Sequence, residues 1–316
     1  MIRHFFAAIL AFAALAAQAQ GWPAKPVRLI VPYPPGGSTD VTARALADKV
    51  SAALGQPVVV ENRAGAGGSI GIEAAVRSDA DGYTILVAPD FVASAPHVYA
   101  LSYDPIKQLI PVIQLTRQPV VLAVNPELGV KSVAELVALA KKNPGLPYAT
   151  SGAGSQQDIA AEWFAKLAGI QLTHVPYKGG GQAIKDLLGG QVKIGSLGST
   201  PVIPHYKSGK LGILAQSTKT RAPSLAEVPT YEEAGMKGLV IDQWLGVFVP
   251  EGTDPQVVRR LNAEFDKALA DAAVRERLAH AALEPVGGSS EEFAQLVRAN
   301  FEMYRGLVAE LKIRVN

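Results

Sequence analysis

The chain has 316 residues, of which 48% are hydrophobic, and its 30 basic and 28 acidic side chains give a formal charge of +2. After the N-terminal leader no Lys/Arg run is longer than Lys141-Lys142, which argues against a nucleic-acid or membrane-surface role, since both need a basic stripe. The absence of cysteine excludes disulfides and the attachment of lipid to a cysteine.

Residues 1–19 have the features of a secretory signal peptide. Arg3 and His4 are basic, residues 5–17 are apolar, and Ala17-Gln18-Ala19 is a small-x-small cleavage signature. The alternative is a membrane anchor, but the apolar run is shorter than the roughly 20 residues that a spanning helix needs. We therefore predict export to the periplasm with cleavage after Ala19.

The next segment predicts strands that alternate with helices. Strands are expected at 27–31, 58–60 and 84–87, and the apolar spacing predicts helices at 41–54 and 70–77. This order predicts a parallel sheet. Ligands of such sheets bind beyond the carboxyl ends of the strands, where loops lead into helix N-termini.

The same alternation continues to the C-terminus. Strands or extended segments are predicted at 120–124, 148–150, 174–177, 211–215 and 240–249, and one begins at Ile194. Helices are predicted at 133–141, 157–168, 183–188, 259–269, 273–279 and 290–308. Ser132 and Glu135 form a predicted capping box for the first of these helices.

A chain of this length is expected to form two domains. The extended segments 120–125 and 241–249 bracket the middle of the chain and are natural crossing strands. They predict a first domain of residues 20–123 plus 245–316 and an inserted second domain of residues 124–244. Two crossing strands allow the domains to hinge about a shared cleft.

Five segments resemble the Bug, or TctC-like, family of periplasmic receptors of tripartite tricarboxylate transporters. In chain order they are WPAKPVRLIVPYPPGGSTD, GQPVVVENRAGAGGSIG, DGYTILVA, HVPYKGGGQAIKDLLGGQV and LAEVPTYEEAG. The resemblance implies an α/β, two-domain periplasmic-binding-protein fold (type II, Venus flytrap) joined by two crossing strands. It also implies a small carboxylate held mainly by backbone amides and ordered water, and delivery to a membrane permease of two subunits.

The chain departs from the family pattern at three positions. Asp158 stands where family members often carry His, and Lys193 and Leu197 stand where many are acidic. These differences bear on the identity of the ligand and leave the fold unaffected.

The first predicted ligand loop joins the strand 27–31 to the following helix. Its prolines stiffen the chain, and its glycines allow the backbone to approach a ligand closely. A helix N-terminus carries about half a positive charge and accepts an anion without a basic side chain. We expect Ser38 or Thr39 to cap the helix while the free N–H groups of its first turn point into the cleft. The alternative is an ordinary turn with a cap. The predicted site residues here are Tyr33, Pro35, Gly36, Gly37, Ser38 and Thr39.

The second predicted ligand loop follows the strand 148–150, so that two facing loops would hold both ends of a diacid. Its predicted site residues are Ser151, Gly152, Ala153, Gly154, Ser155 and Gln156. Neither loop matches G-x-G-x-x-G or the phosphate-binding G-x-x-x-x-G-K-[ST]. The glycines at 65–68 fail the same test and predict a loop at the cleft rim.

Further candidates lie near other strand ends or in a crossing segment. Asp90 and Phe91 are either a cleft wall or, for Phe91, part of the core, and Lys178 is either a counter-charge or a solvated rim residue. Trp244 packs either in the cleft or in the hinge core. The additional site residues are Asp90, Phe91, Tyr177, Lys178, Gly179, Ser196, Gly198 and Trp244.

Catalytic signatures are missing from the sequence. There is no G-x-S-x-G elbow and no cysteine, and His97, His174, His205 and His280 lack the spacing of a zinc helix. We therefore expect no catalytic residue, metal or cofactor, and a monomer. The favoured function is a transport receptor for a di- or tricarboxylate, an amino-acid-like carboxylate or an aromatic one. The alternatives are a ligand sensor for a membrane histidine kinase and, less favoured, a periplasmic hydrolase or isomerase.

Overall fold

A computed structural model describes residues 21–313, and the predicted signal peptide lies outside them. The strands are β1 Val27–Val31, β2 Val58–Asn62, β3 Thr84–Pro89, β4 Leu109–Val124, β5 Leu146–Thr150, β6 Leu172–Pro176, β7 Ile194–Gly198, β8 Gly212–Gln216, β9 Asp242–Pro250 and β10 Glu284–Pro285. The α-helices are α1 Ser38–Leu54, α2 Ser69–Val76, α3 Phe91–Val98, α4 Pro105–Gln108, α5 Val133–Lys142, α6 Gln156–Ala168, α7 Gly180–Leu188, α8 Ser199–Lys207, α9 Pro255–Ala270, α10 Ala272–His280 and α11 Ser290–Leu311.

The strands form one mixed sheet in the order β2-β1-β3-β9-β4-β7-β5-β6, and β8 and β10 pair with β4. β1 is parallel to β2 and β3, and β5 is parallel to β6 and β7. The predicted parallel pairing is therefore confirmed in both halves of the sheet. The antiparallel pairing of β9 with β3 and β4 at the centre was not predicted.

β4 connects the two halves of the sheet. Its residues 109–119 pair with β9, and its residues 120–124 pair with β7 and β8. The last helix, α11, also reaches both halves: Phe293 packs with Phe91 and Trp244, whereas Tyr304 packs with Tyr148 and other residues of the second half. The domain boundaries given above remain a prediction.

Helices cover both faces of the sheet, so the central strands are buried on both sides. Leu29 of β1 packs in a cluster with Leu46 of α1 and Phe265 of α9. Its neighbour Ile30 points to the other face and packs with Ile72 of α2, as the alternation of side chains along a strand requires. This packing fixes the strand ends at which the functional loops begin.

The helices α3, α4 and α8 were not predicted, and α4 has only four residues. α3 contains Pro96, and α8 contains Pro204, and proline disfavours the helix interior. The predicted capping box of α5 was wrong in part. The Ser132 hydroxyl oxygen accepts the backbone amide of Glu135 as expected, but the Glu135 carboxylate accepts the backbone amide of Lys131 instead of that of Ser132. Among residues 21–313 no helix is both long enough and apolar enough to cross a membrane.

Candidate functional site

A cavity of about 630 Å³ lies between the two halves of the molecule, beyond the carboxyl ends of β1, β3, β5, β6 and β7. Its volume is that of a small-molecule site. The predicted site residues that line it are Tyr33, Pro35, Gly36, Gly37, Ser38, Thr39, Asp90, Phe91, Ser151, Ser155, Gln156, Gly179 and Gly198. Both predicted ligand loops therefore reach one cavity, from opposite halves of the sheet.

The other predicted site residues lie outside the cavity lining. They are Gly152, Ala153, Gly154, Tyr177, Lys178, Ser196 and Trp244.

The segment 152–154 contacts the opposite half of the molecule. The Tyr99 hydroxyl donates to the Ala153 carbonyl over 2.8 Å, and the Ser94 hydroxyl donates to the Gly154 carbonyl over 2.9 Å. A Cβ at Gly154 would lie 2.6 Å from Cγ1 of Val98, and the φ of Gly154 is +67°. Gly154 is therefore explained by its positive φ and by close packing against α3, and not by space left for a ligand.

Trp244 is buried in the hydrophobic core and does not line the cavity. Its ring meets Phe293 edge-on at 5.2 Å, and its indole N–H donates to Asn300 over 2.9 Å. Ser196 donates to the Gln157 carbonyl over 2.6 Å.

Tyr177 and Lys178, the first two residues after β6, do not line the cavity. The Tyr177 hydroxyl donates to Asp186 over 2.6 Å. The Lys178 side chain is exposed, as expected of a solvated rim residue.

Four helices begin at the cavity without a side-chain cap: α1, α3, α7 and α8. Helices that begin elsewhere are capped, namely α4 by Asp104, α5 by Ser132, α9 by Asp254, α10 by Asp271 and α11 by Ser289. The pattern has two exceptions, since α6 begins at the cavity with a Ser155 cap and α2 is uncapped outside it. First-turn amides without a cap need another acceptor, and the cavity can hold one.

At α1 the N-cap is Gly37, so the expectation that Ser38 or Thr39 caps this helix was wrong. The Asp40 carboxylate accepts the amide of Gly36 over 3.1 Å and the side chain of Arg44. It fixes the turn just before the helix. Because Ser38 and Thr39 are themselves in the first turn and line the cavity, their amides are placed where an anion would be accepted.

The charged lining residues are few. Asp90 is 1% exposed, Lys185 is exposed, and His205 is half-buried. An anion in this cavity would thus be stabilised mainly by helix N-termini, each equivalent to about half a positive charge. Residues 21–313 contain no group of three or more His, Asp or Glu side chains able to hold a metal ion.

Gly37 and Gly198 are glycine for different reasons. Gly37 has ordinary extended angles (φ −83°, ψ 170°), and a Cβ there would have no protein atom within 4 Å. A Cβ at Gly198 would lie 2.6 Å from Oε1 of Gln243 and 2.9 Å from Nε2 of Gln118. Gly198 therefore makes room for an amide pair, whereas Gly37 leaves space open in the cavity.

The amide pair of Gln118 and Gln243 was not predicted from the sequence. Gln118 donates to Gln243 over 2.7 Å, and its Oε1 accepts the amide of Thr200 over 3.0 Å and the Thr200 hydroxyl over 2.8 Å. Gln243 and Thr200 both line the cavity. Each crossing strand has a glutamine among apolar residues, Gln118 in β4 and Gln243 in β9. Because a buried amide must be hydrogen-bonded, these two residues could have been predicted to pair.

The missed lining residues on the second half come largely from α7 and α8. They are Gln157, Gly180, Gly181, Gln182, Ile184, Lys185, Thr200, Pro201, Pro204 and His205. The sequence 198–201 (GSTP) directly after a strand could have predicted the start of α8, since proline is tolerated in a first helical turn.

Asp90 belongs to a buried hydrogen-bonded group. Its Oδ2 accepts from the Tyr304 hydroxyl over 2.6 Å, and Nε2 of Gln156 donates to that hydroxyl over 3.1 Å and to the Asp242 carbonyl over 2.6 Å. Burial raises the pKa of Asp90 to about 7, and the hydrogen bond from Tyr304 opposes this effect. The sequence offered no signal for Tyr304, which is distant in the chain and follows the ordinary spacing of α11.

Asp158 organises the loop 151–155 without lining the cavity. Its carboxylate accepts from the Gly154 amide over 2.8 Å and from the Tyr148 hydroxyl over 2.9 Å, and it lies 3.3 Å from Nδ1 of His174. Burial raises the pKa of Asp158 to about 6 and lowers that of His174 to about 4. His174 in turn contacts the Thr150 hydroxyl at 2.7 Å.

The other two departures are remote from the site. Lys193 lies 3.2 Å from Glu127 at the surface, and Leu197 is buried in the core. Neither lines the cavity. Of the three positions only Asp158 can affect the ligand, and it does so through its loop.

Replacing Asp158 by Ala is expected to weaken ligand binding and to lower the unfolding free energy by about 1–3 kcal/mol, because the Gly154 amide loses its buried acceptor. Glu162→Ala is the matched control: Glu162 also accepts from Tyr148, over 2.6 Å, but does not contact the loop. Calorimetric titration beside urea unfolding separates the two effects. Unchanged affinity in Asp158→Ala would show that the loop does not depend on this carboxylate.

Comparison with known proteins places the chain in a family. The family model described as the tripartite tricarboxylate transporter family receptor (TctC) matches residues 42–313.

Three solved structures are similar to the whole described fold. The periplasmic binding protein BugD is 30% identical, with a TM-score of 0.88 over 93% of this chain and 100% of its own. Rpa4515 of R. palustris with adipate is 32% identical, with a TM-score of 0.89 over 93% and 100%. MatC from Rhodopseudomonas palustris with bound malate is 30% identical, with a TM-score of 0.85 over 91% and 100%. The chain therefore belongs to the TctC family of tripartite tricarboxylate transporter receptors and has the two-domain α/β fold of periplasmic binding proteins.

Proposed function

We propose that the chain captures a small carboxylate in the cavity and delivers it to a membrane permease of two subunits. The observation that carries the proposal is the convergence of uncapped helix N-termini on one cavity with few basic side chains. Such N-termini bind anions. The related proteins with adipate and malate hold dicarboxylates, which supports the same ligand class here. The family description as a transporter receptor favours a permease over a sensor kinase.

The loops at the cavity suggest how capture works. The carboxylate would accept the first-turn amides of α1, while α7 and α8 face it from the opposite half. The two halves already approach each other, since a Cβ at Gly179 would lie 3.3 Å from Cδ of Pro34. We propose that the halves, residues 20–123 plus 245–316 and 124–244, hinge at β4 and β9 and that the permease recognises the closed monomer.

The proposed chemistry is binding without catalysis, in keeping with a family of solute-binding receptors. The ligand must be ionised to bind in this way, because a neutral molecule gains little from the helix N-termini.

A thermal-shift panel of carboxylates, each beside its neutral amide, tests this function. At a concentration 100 times the Kd, a ligand that binds only the folded state stabilises it by about 2.7 kcal/mol. We expect at least one carboxylate to raise the melting temperature while its amide does not. Equal shifts with both members of each pair, or no shift with any carboxylate, would contradict the proposal.

Replacing Lys178 by Ala is expected to weaken the binding free energy of the ligand by about 1 kcal/mol or less, because the Lys178 side chain is exposed and does not line the cavity. Calorimetric titration of the variant checks the value. Complete loss of binding would reveal a direct salt bridge between Lys178 and the ligand.

We propose that the chain is exported to the periplasm, because residues 1–19 include the apolar run and the small-x-small signature of a signal peptide. We expect mass spectrometry of periplasmic material to show a chain that begins after Ala19. An intact Met1 in that fraction, or a cytoplasmic pool as the main form, would contradict this prediction.

A further inference from the structure

Two glutamines face each other across the crossing strands, Gln118 in β4 and Gln243 in β9. Nε2 of Gln118 donates to Oε1 of Gln243 over 2.7 Å, and the two residues are only 2% and 6% exposed. Of the two, only Gln243 lines the cavity. The backbone of Gly198 lies against the pair, since a Cβ there would be 2.6 Å from Oε1 of Gln243. The pair therefore lies beside the start of α8.

The orientation of both side-chain amides follows from one backbone donor. The Thr200 N–H can only donate, so the Gln118 atom that lies 3.0 Å from it is the oxygen Oε1. The Thr200 hydroxyl donates to the same oxygen over 2.8 Å. The other end of the Gln118 amide is then its NH2 group, which requires Oε1 of Gln243 opposite it. Gln243 is therefore left with its own donor, Nε2, for any further contact.

Nε2 of Gln243 has no acceptor in the part of the chain that the structure describes. It forms no hydrogen bond within residues 21–313, yet it is not one of the fully buried polar side-chain atoms that lack a partner. This NH2 group therefore retains accessible surface, and the cavity that Gln243 lines is the space it can reach. An acceptor in the cavity would complete its hydrogen bonding.

The helix α8 has little left to offer an anion by itself. Its Thr200 amide is already accepted by Gln118, and the next residue, Pro201, has no amide hydrogen. An acceptor on that side of the cavity needs a donor beside the helix start, and Gln243 is in that place. A hydrogen bond to an ionised carboxylate is also stronger than one between neutral groups.

We infer that Gln243 contacts the ligand: its Nε2 donates to an acceptor oxygen of the bound carboxylate beside the start of α8. Gln118 is the positioning residue that turns this donor toward the cavity. The inference rests on the proposed function and adds a side-chain donor to the backbone amides of α1. Because β4 and β9 are the crossing strands, the ligand then contacts the segment that joins the two halves.

Gln243→Glu tests the contact, because the two side chains have the same shape and the new carboxylate still accepts from Gln118. At pH 8 it presents an oxygen to the cavity in place of the NH2 group, so the affinity should fall by at least about 100-fold. Gln243→Ala removes the donor without adding a repulsive oxygen and should weaken binding about tenfold. Calorimetric titration with malate, adipate and the carboxylate that gives the largest thermal shift measures both effects.

Gln114→Glu is the matched control for the added charge. Gln114 is also in β4 but does not line the cavity, so this substitution should change the affinity by less than about twofold. A melting curve of each variant verifies that it is folded.

Gln118→Glu tests the positioning role. The new carboxylate still accepts from Thr200 but cannot donate to Gln243, whose amide is then expected to turn its NH2 group away from the cavity. The affinity should fall about 100-fold in the otherwise wild-type chain, but no more than about tenfold in the Gln243→Ala background, where no donor remains to be turned. A loss of equal size in both backgrounds would overturn the assignment of Gln118.

The outcomes separate the two proposals. Carboxylate binding by the wild type with a loss in Gln243→Glu no larger than in Gln114→Glu would overturn the inference and support the proposed function. Where Gln243→Glu does not fold, native affinity in Gln243→Ala would overturn the inference in the same way. Failure of the wild type to bind any carboxylate would overturn both.

Discussion

Replacing Gly37 by Ala is expected to weaken ligand binding by about 100-fold, equivalent to about 2.7 kcal/mol. Gly37 lines the cavity at the start of α1, and a Cβ there would meet no protein atom within 4 Å. The new methyl group would therefore occupy space that the carboxylate needs to reach the helix amides. Its backbone angles suit alanine, so the unfolding free energy should change by less than about 1 kcal/mol. Calorimetric titration and urea unfolding measure the two quantities.

Two other glycines provide controls for this substitution. Gly306→Ala lies on an exposed face of α11 with no atom within 4 Å of a Cβ, and it should raise stability by about 0.5–1 kcal/mol without affecting affinity. Gly154→Ala should lower stability, because its methyl group would collide with Val98 at a positive φ. Native affinity in Gly37→Ala would remove the α1 loop from the ligand site.

Replacing Asp90 by Asn is expected to stabilise the ligand-free protein at pH 8 by roughly 2–4 kcal/mol, at about 1.4 kcal/mol per pKa unit. Burial raises the pKa of Asp90 from 3.8 to about 7. Between these two values the folded state holds a proton that the unfolded state has released. The contribution of Asp90 to the unfolding free energy therefore falls as the pH rises from about 4 to about 7, and the neutral Asn is free of this loss.

Urea unfolding of both proteins at several values between pH 5 and pH 8 measures the effect. The stability difference between Asp90→Asn and wild type should grow with pH up to about 7 and then level off. Glu73→Gln should show no such trend, because hydrogen bonds from Ser102 and Arg77 lower the pKa of Glu73 below 4.5. A difference independent of pH would mean that Asp90 is not protonated in the folded state at pH 5.

The fold could be predicted in large part, because strands buried on both faces are short apolar runs and their helices follow at helical spacing. The predicted start of α1 was three residues too late, because Ser38, Thr39 and Asp40 are polar and do not show the apolar spacing although they are helical. The central antiparallel pairing could not be predicted. It joins residues more than a hundred positions apart, and local periodicity contains no information on which strands meet.

The candidate site could be predicted where a strand leads through glycines into a helix, as at Gly36, Gly37 and Gly179. The site could not be predicted where tertiary packing decides whether a residue lines the cavity. Gly154 contacts the opposite half rather than the cavity, and Gln243 reaches the cavity from a crossing strand. The Asp90–Tyr304 hydrogen bond joins residues 214 positions apart, so local sequence patterns contain no information on the charge environment of the cavity.

The most direct test of carboxylate capture is a crystal structure of the mature protein with the carboxylate that raises the melting temperature most in the thermal-shift panel. We expect the ligand to lie in the cavity, with carboxylate oxygens within about 3.2 Å of the backbone nitrogens of Ser38 or Thr39. A ligand bound outside the cavity, or one whose carboxylate is held by Lys185 without any contact to these amides, would contradict it.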